Sequence, residues 1–341
     1  MFIFSSKCGR VFLIVYKVFL MAEFGGFMEI KKIPVIMDVD TGIDDAVAII
    51  LAMASQEIDL RGITVVAGNQ TLDKTLHNTL SVVEYFGRKD IPVAAGADRP
   101  LVRAQYIDPA THGESGLGTA KLPQPTIKPH ELDAVSFLRE TLEKSEERIT
   151  LVPVGPLTNI ALLLSCYPHV KEKIERIVMM GGGAFEGNMN AVCEFNMFVD
   201  PEAAQIVFDS GVDIVMCGLD VTMKSYTTMD DILALKATNT KAGDFCAEAF
   251  GVYYDRYVNN SRLPGCAVHD AVAITYLLHP EWIKTERGSV KMDIDGVETY
   301  GQTVCDFRPH RDKTEDNALV CLDIDREKFV NLLAEACKYY K

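Results

Sequence analysis

From Lys32 onward, short runs of β-branched and other apolar residues alternate with longer stretches in which apolar positions recur every three or four residues. The first pattern marks buried strands of a parallel sheet, and the second marks amphipathic helices packed against it. The spacing predicts strands at residues 33–37, 60–66, 91–94, 149–154, 176–180, 212–217 and 318–324. It predicts helices at 46–54, 72–86, 132–143, 157–164, 201–209, 271–278 and 327–339, with Pro201 in a first turn, where a helix accepts proline. The implied fold class is α/β: an open, mostly parallel central sheet flanked by helices, in a single large domain over residues 28–341. The least regular stretches, 97–129 and 259–267, read as loops. Loops at the carboxyl ends of parallel strands are where open α/β sheets bind ligands.

Composition narrows the function classes. With 48% hydrophobic residues in 341, the chain can bury a sizeable core. Lys and Arg total 34 against 48 for Asp and Glu, a formal charge of −14, which repels phosphate backbones and anionic lipid and so argues against nucleic acid or a membrane as partner. The nine cysteines are scattered and never form C-x-x-C, so neither a disulfide framework nor a zinc site is indicated, and a reducing cytoplasmic setting is expected. Residues 1–27 are apolar but carry Lys7, Arg10 and Lys17, and the apolar run 11–16 is too short to span a bilayer. They read as an extension outside the domain, either disordered or preceding the true start, with some likeness to a poor signal peptide.

The strongest chemical signal follows the first strand: Asp38-Val39-Asp40-Thr41-Gly42-Ile43-Asp44-Asp45. Asp38 and Asp40 project to the same side of an extended chain, and Gly42 permits a reversal that brings Asp44 and Asp45 back toward them. Four carboxylates so close repel one another unless a hard divalent cation such as Ca²⁺ or Mg²⁺ neutralises them. The simpler reading is that Asp44 and Asp45 only cap the following helix while Asp38 and Asp40 are solvated.

A second helix opens with His269-Asp270-Ala271-Val272-Ala273-Ile274, nearly repeating Asp44-Asp45-Ala46-Val47-Ala48-Ile49. Twin helix starts would deliver Asp270 beside Asp40 and Asp45 on one ion. His269 is then a candidate proton donor, although a helix-capping histidine is the plainer alternative. Asn69, His112 within His-Gly-Glu-Ser-Gly-Leu-Gly, Asn188 after the triple glycine 181–183, and Glu194 with Asn196 add donors and acceptors suited to sugar hydroxyls. The triple glycine lacks the spacing of a dinucleotide fingerprint, so no nicotinamide cofactor is expected.

These segments, together with Pro153-Val154-Gly155-Pro156-Leu157-Thr158-Asn159, resemble the inosine–uridine-preferring nucleoside hydrolase family, in order and at compatible spacing from about Ile33 to the C-terminal helix. The resemblance implies a Ca²⁺-dependent enzyme that hydrolyses the N-glycosidic bond of purine or pyrimidine ribonucleosides for nucleoside salvage, in a homotetramer or dimer. It implies that Asp40 binds the ion and acts as general base, that Asp45, Asp270 and the main-chain carbonyl of Val154 complete the metal site, and that Asp44, Asn69, Asn188, Glu194 and Asn196 hold ribose, with Asp38 on the ribose side. It places His112 and His269 by the base. Purine-specific relatives resemble one another in having Trp at the position of His269, so the resemblance points to the broader or pyrimidine-leaning branch.

Two rivals start from the same acids. One is a haloacid-dehalogenase-type phosphatase with Asp38 as nucleophile, which leaves the His269-Asp270 helix start unexplained. The other is a non-catalytic Ca²⁺-dependent sugar-binding protein.

Overall fold

Eleven strands form among the described residues of the computed structural model, which are 31–260, 263–310 and 315–341. They are β1 (Ile33–Val39), β2 (Ile58–Val65), β3 (Val93–Ala95), β4 (Ile149–Pro153), β5 (Ile174–Met180), β6 (Ile214–Cys217), β7 (Tyr226–Thr227), β8 (Cys266–Ala267), β9 (Ile283–Met292), β10 (Thr303–Asp306) and β11 (Ala318–Ile324). Nine of them make one sheet in the order β10-β9-β11-β6-β5-β4-β1-β2-β3. Every pairing from β11 to β3 is parallel; β9 runs antiparallel to both β11 and β10. The expected α/β architecture is therefore present, over a unit that spans Ile33–Lys341. The expectations for residues 1–27 lie outside the described residues.

The order of the strands decides where a ligand fits. The chain winds outward from β1 through β2 to β3, then returns to β4 on the other side of β1 and winds outward again through β5 and β6. Connections leaving β1 and β4 diverge, so a crevice opens at their carboxyl ends, the topological switch point of an open α/β sheet. Val154 N–H donates to Asp38 O at 2.8 Å, fastening the two strand ends together.

β1 reads as an almost unbroken apolar run because both of its faces are covered: Val35, Met37 and Val39 enter one core cluster and Ile36 the other. Helix Ile43–Ala54 follows β1, helix Leu72–Tyr85 follows β2 and helix Thr158–Cys166 follows β4. The twin Ala-Val-Ala-Ile segments are entirely buried, and helices Ile43–Ala54 and Ala271–Leu278 pack against each other. Pro201 opens helix Pro201–Phe208, whose N-cap is Asp200. Beyond the predicted set stand the antiparallel β9 and β10, the short β7 and β8, and several helices, the longest of them the 20-residue helix Lys241–Asn260. No described helix is long and apolar enough to cross a membrane.

Candidate active site

After β1 the chain turns through Asp40, Thr41 and Gly42 into helix Ile43–Ala54. Gly42 is required by close approach: a Cβ there would lie 2.8 Å from Asn69 Nδ2 and closer still to His112 Nδ1. Asp45 closes the turn, its Oδ1 accepting the Asp40 N–H at 3.0 Å and its Oδ2 the Gly42 N–H at 2.8 Å. The capping role that the simpler reading gave Asp45 is thus real. It coexists with a second role, because the same carboxyl lies inside a cluster of acids.

The distant acid arrives by a small ladder. β7 pairs antiparallel with β8, and Val268 N–H donates to Ser225 O at 3.3 Å, which delivers His269 and Asp270 to the start of helix Ala271–Leu278. Asp44, Asp45 and Asp270 each present a carboxylate oxygen within 4.8 Å of the others. Asp40 lies close enough to Asp45, and Asp270 to Asp40, Asp44 and Asp45, for their charges to repel one another. Relative exposures are 1% for Asp40, 5% for Asp44, 0% for Asp45 and 3% for Asp270. No lysine or arginine among the described residues forms an ion pair with any of them.

Burial, then repulsion from neighbouring carboxyls, drives Asp44 up to about 8 and Asp40 and Asp270 well above the ordinary carboxyl range. Burial also raises Asp45, against the pull of its backbone donors. Asp44 Oδ1 is buried with no hydrogen-bond partner. An all-oxygen donor set, crowded, dry and short of positive charge, fits a hard divalent cation. Asp40 is wedged between two glycines: a Cβ at Gly155 would sit 2.7 Å from its Oδ1, and one at Gly68 would collide with its Oδ2.

Asp38 is placed apart from this cluster. Its Oδ1 accepts from Thr64 Oγ1 at 2.5 Å and Asn159 Nδ2 at 2.8 Å, while Asn159 Oδ1 accepts the Ala97 N–H at 2.9 Å. Burial lifts Asp38 to about 7 in spite of these donors, and its Oδ2 is buried without a partner. Asp38 therefore braces β1 to the segments after β3 and β4.

The amide-bearing residues close one side. Asn69 donates its N–H to Asp40 Oδ2 at 2.7 Å and its Nδ2 to Asp45 Oδ2 at 3.1 Å. Glu194 caps helix Phe195–Val199 and accepts N–H groups from Gly182, Asn196 and Met197 at 2.9, 3.0 and 3.2 Å. Burial still pushes Glu194 up to about 7. Asn196 Nδ2 donates to Val154 O at 2.8 Å and Met180 O at 3.1 Å, so it orients the very carbonyl expected at the metal site. Asn188 is the exception: it is exposed on the loop after β5, and its side chain forms no hydrogen bond among the described residues.

The other side is aromatic. His112 Nδ1 accepts the Ile43 N–H at 3.2 Å, which puts the proton of the neutral ring on Nε2; burial holds this histidine down at about 4. His269 lies between two hydroxyls, with Tyr257 Oη 2.5 Å from Nε2 and Thr222 Oγ1 2.7 Å from Nδ1. Burial, then the neighbouring His112, depresses His269 to about 3. The ordinary histidine pKa that recommends it as a proton donor does not survive this environment. Tyr253 stands 4.9 Å from Tyr257 and 5.6 Å from His112, ring centre to ring centre. Sequence reasoning missed Thr222 and gave Asn159 no role of its own; neither carries a local signal, since both acquire partners more than 40 residues away.

The family model described as inosine-uridine preferring nucleoside hydrolase matches residues 35–331. The chain belongs to that family. It is 43% identical over 309 residues, 90% of this chain and 99% of the relative, to the pyrimidine-specific ribonucleoside hydrolase RihA of Escherichia coli O1:K1 / APEC, and 44% identical, with the same coverage, to RihA of Citrobacter koseri. Among solved structures it is similar to the purine-preferring ribonucleoside hydrolase from Gardnerella vaginalis, with TM-score 0.84, 31% identity and coverage of 89% and 98% of the two chains. The plant nucleoside hydrolase PpNRh1 matches equally, with TM-score 0.84, 31% identity and coverage of 91% and 99%. The protein is accordingly a nucleoside hydrolase, an enzyme acting on N-glycosyl compounds, and the phosphatase alternative falls away. In this nucleoside hydrolase the acid cluster at the switch point is the candidate metal centre.

Proposed function

We propose that this nucleoside hydrolase cleaves the N-glycosidic bond of ribonucleosides, pyrimidine nucleosides foremost, to free base and ribose, and serves nucleoside salvage. The observation that carries the reading is the meeting of Asp40, Asp44 and Asp45 with Asp270, over 200 residues away, in one buried cluster without a cationic side chain. We assign Ca²⁺ as the ion, held by Asp40, Asp45, Asp270 and the Val154 carbonyl. When bound, it supplies the positive charge that the cluster lacks and makes water more acidic.

Asp40 is the general base. Its carboxylate is fixed by the Asn69 amide and the two flanking glycines, so it takes a proton from attacking water without reorienting. The ribose carbon gains oxocarbenium character as the base departs, and buried acids beside the sugar stabilise that charge. Asp44, Asn69, Glu194 and Asn196 receive the ribose hydroxyls, with Asp38 behind them and Asn188 reaching in from its loop. Asn196 has spent its donors on two carbonyls, which leaves Oδ1 to accept from a hydroxyl. His269 acts on the leaving base as a neutral ring held between Tyr257 and Thr222, through hydrogen bonding rather than as an imidazolium. The relatives named as pyrimidine-specific at 43–44% identity support a pyrimidine preference.

The test is a steady-state assay of uridine, cytidine and inosine with and without a chelator. Uridine or cytidine should turn over fastest, and chelation should abolish activity until Ca²⁺ is restored. Inosine turning over fastest would overturn the pyrimidine preference, and undiminished turnover after exhaustive chelation would exclude the metal.

A further inference from the structure

Helix Leu72–Tyr85 does not reach the acid cluster, yet one of its residues holds the two loops that do. Asn78 is buried, and its Nδ2 donates to Thr41 O at 3.1 Å and to Ser115 O at 2.8 Å. Thr41 belongs to the acid turn; Ser115 belongs to the loop that follows His112. A single amide nitrogen with two N–H groups thus joins the acidic and base-side halves of the site. The approach is possible because residue 116 is a glycine: its φ of +90° is one that L side chains rarely adopt, and a Cβ there would lie 2.6 Å from Asn78 Nδ2.

The neighbourhood reinforces the link. Thr79 Oγ1 donates to Thr75 O at 2.8 Å, so in its 2.7 Å contact with Thr41 Oγ1 it is the acceptor, and the helix grips Thr41 by side chain and carbonyl together. Gln70 Nε2, just before the helix, donates to Gly113 O at 2.9 Å. Gly118 N–H returns to His112 O at 2.9 Å, which closes the loop on the histidine itself. His112 then meets the acid turn directly through the Ile43 N–H.

We propose that Asn78 is a positioning residue for the hydrolysis, setting the place of His112 over the acid cluster through Ser115 and Thr41. The proposal rests on reading His112, which the family resemblance sets beside the base, as an auxiliary to His269 in helping the base depart. If it holds, loss of Asn78 impairs help to the leaving base while the handling of ribose and water is largely kept. The discriminating substrate is one whose leaving group departs without help, such as 4-nitrophenyl β-D-riboside.

Asn78→Ala should lower kcat/KM for uridine by about 10-fold and change that for the nitrophenyl riboside by no more than about 2-fold. In a His112→Ala background the same change should cost uridine less than about 2-fold, because both act along one route. Gly116→Ala, which pushes on the amide from the other side, should reproduce the substrate-dependent loss and stands in should Asn78→Ala fail to fold. Equal losses on both substrates, or additive losses in the double variant, overturn the proposal while leaving the role of His112 intact. A His112→Ala enzyme whose losses do not depend on the leaving group removes the base-side reading, and the proposal with it.

Discussion

Replacing Asp40 by asparagine should lower kcat on uridine by about 10²–10⁴-fold, the range attributed to a positioned general base. The substitution keeps the shape of a side chain confined between Gly68 and Gly155, so the loss cannot be assigned to misfit. Its carbonyl oxygen can still accept the Asn69 N–H, which the carboxylate receives at 2.7 Å. The melting temperature in chelator should rise slightly above that of the parent, because one of four crowded carboxyls no longer has to be kept protonated or repelled. Steady-state kinetics and thermal denaturation on the same preparations check both halves. Unchanged turnover would remove the general-base assignment.

The second large effect is a pH-dependent stabilisation by Ca²⁺. In the metal-free protein, burial holds Asp44 at about 8 and raises Asp40, Asp45 and Asp270, whereas an unfolded aspartate titrates near 3.9. A carboxyl whose folded pKa is raised contributes stability that is complete below its unfolded value and is lost as pH climbs through the folded one. The metal-free enzyme should therefore weaken steadily from pH 4 toward about 8, the value held by Asp44. Cation binding needs the ionised carboxylates and displaces those same protons, so its benefit runs the other way. At a concentration about 100 times Kd, Ca²⁺ adds about 2.7 kcal/mol, or roughly 5 °C in melting temperature, and the gain should be marked at pH 8 and small at pH 5.5. Differential scanning calorimetry at the two pH values measures it. An equal or larger gain at the acidic pH would contradict the coupling.

Much of the fold is legible wherever both faces of an element are covered. β1, β4 and β5 carry continuous apolar runs, and helix Ala271–Leu278 is apolar all round, as buried elements must be. β9 was not legible because four of its ten residues are exposed and a fifth is half-buried: Ile-Lys-Thr-Glu-Arg-Gly-Ser-Val-Lys-Met has neither an apolar run nor a clean alternation. Helix Lys241–Asn260 does bury Ala242, Phe245, Cys246, Ala249, Phe250 and Tyr253 at helical spacing, but Gly243 and Gly251 interrupt the pattern. The acidic turn and its echo at His269-Asp270 stood out because repelling charges beside apolar strands demand an explanation. Asn78, Asn159 and Thr222 did not, since a single polar residue inside a helix looks the same whether it is solvated or bridges two loops. Their roles depend on which segments the sheet order makes neighbours, and that order is a property of the whole chain.

The account stands on one ion shared by the two ends of the sequence. Its most direct test is a crystal structure of the enzyme grown with excess Ca²⁺, with anomalous diffraction used to locate the metal. The prediction is a single peak bonded to the carboxylates of Asp40, Asp45 and Asp270 and to the Val154 carbonyl, at oxygen distances of about 2.3–2.6 Å. A map with no peak there at millimolar calcium, or with Asp270 turned away from an ion held by the first loop alone, would contradict it.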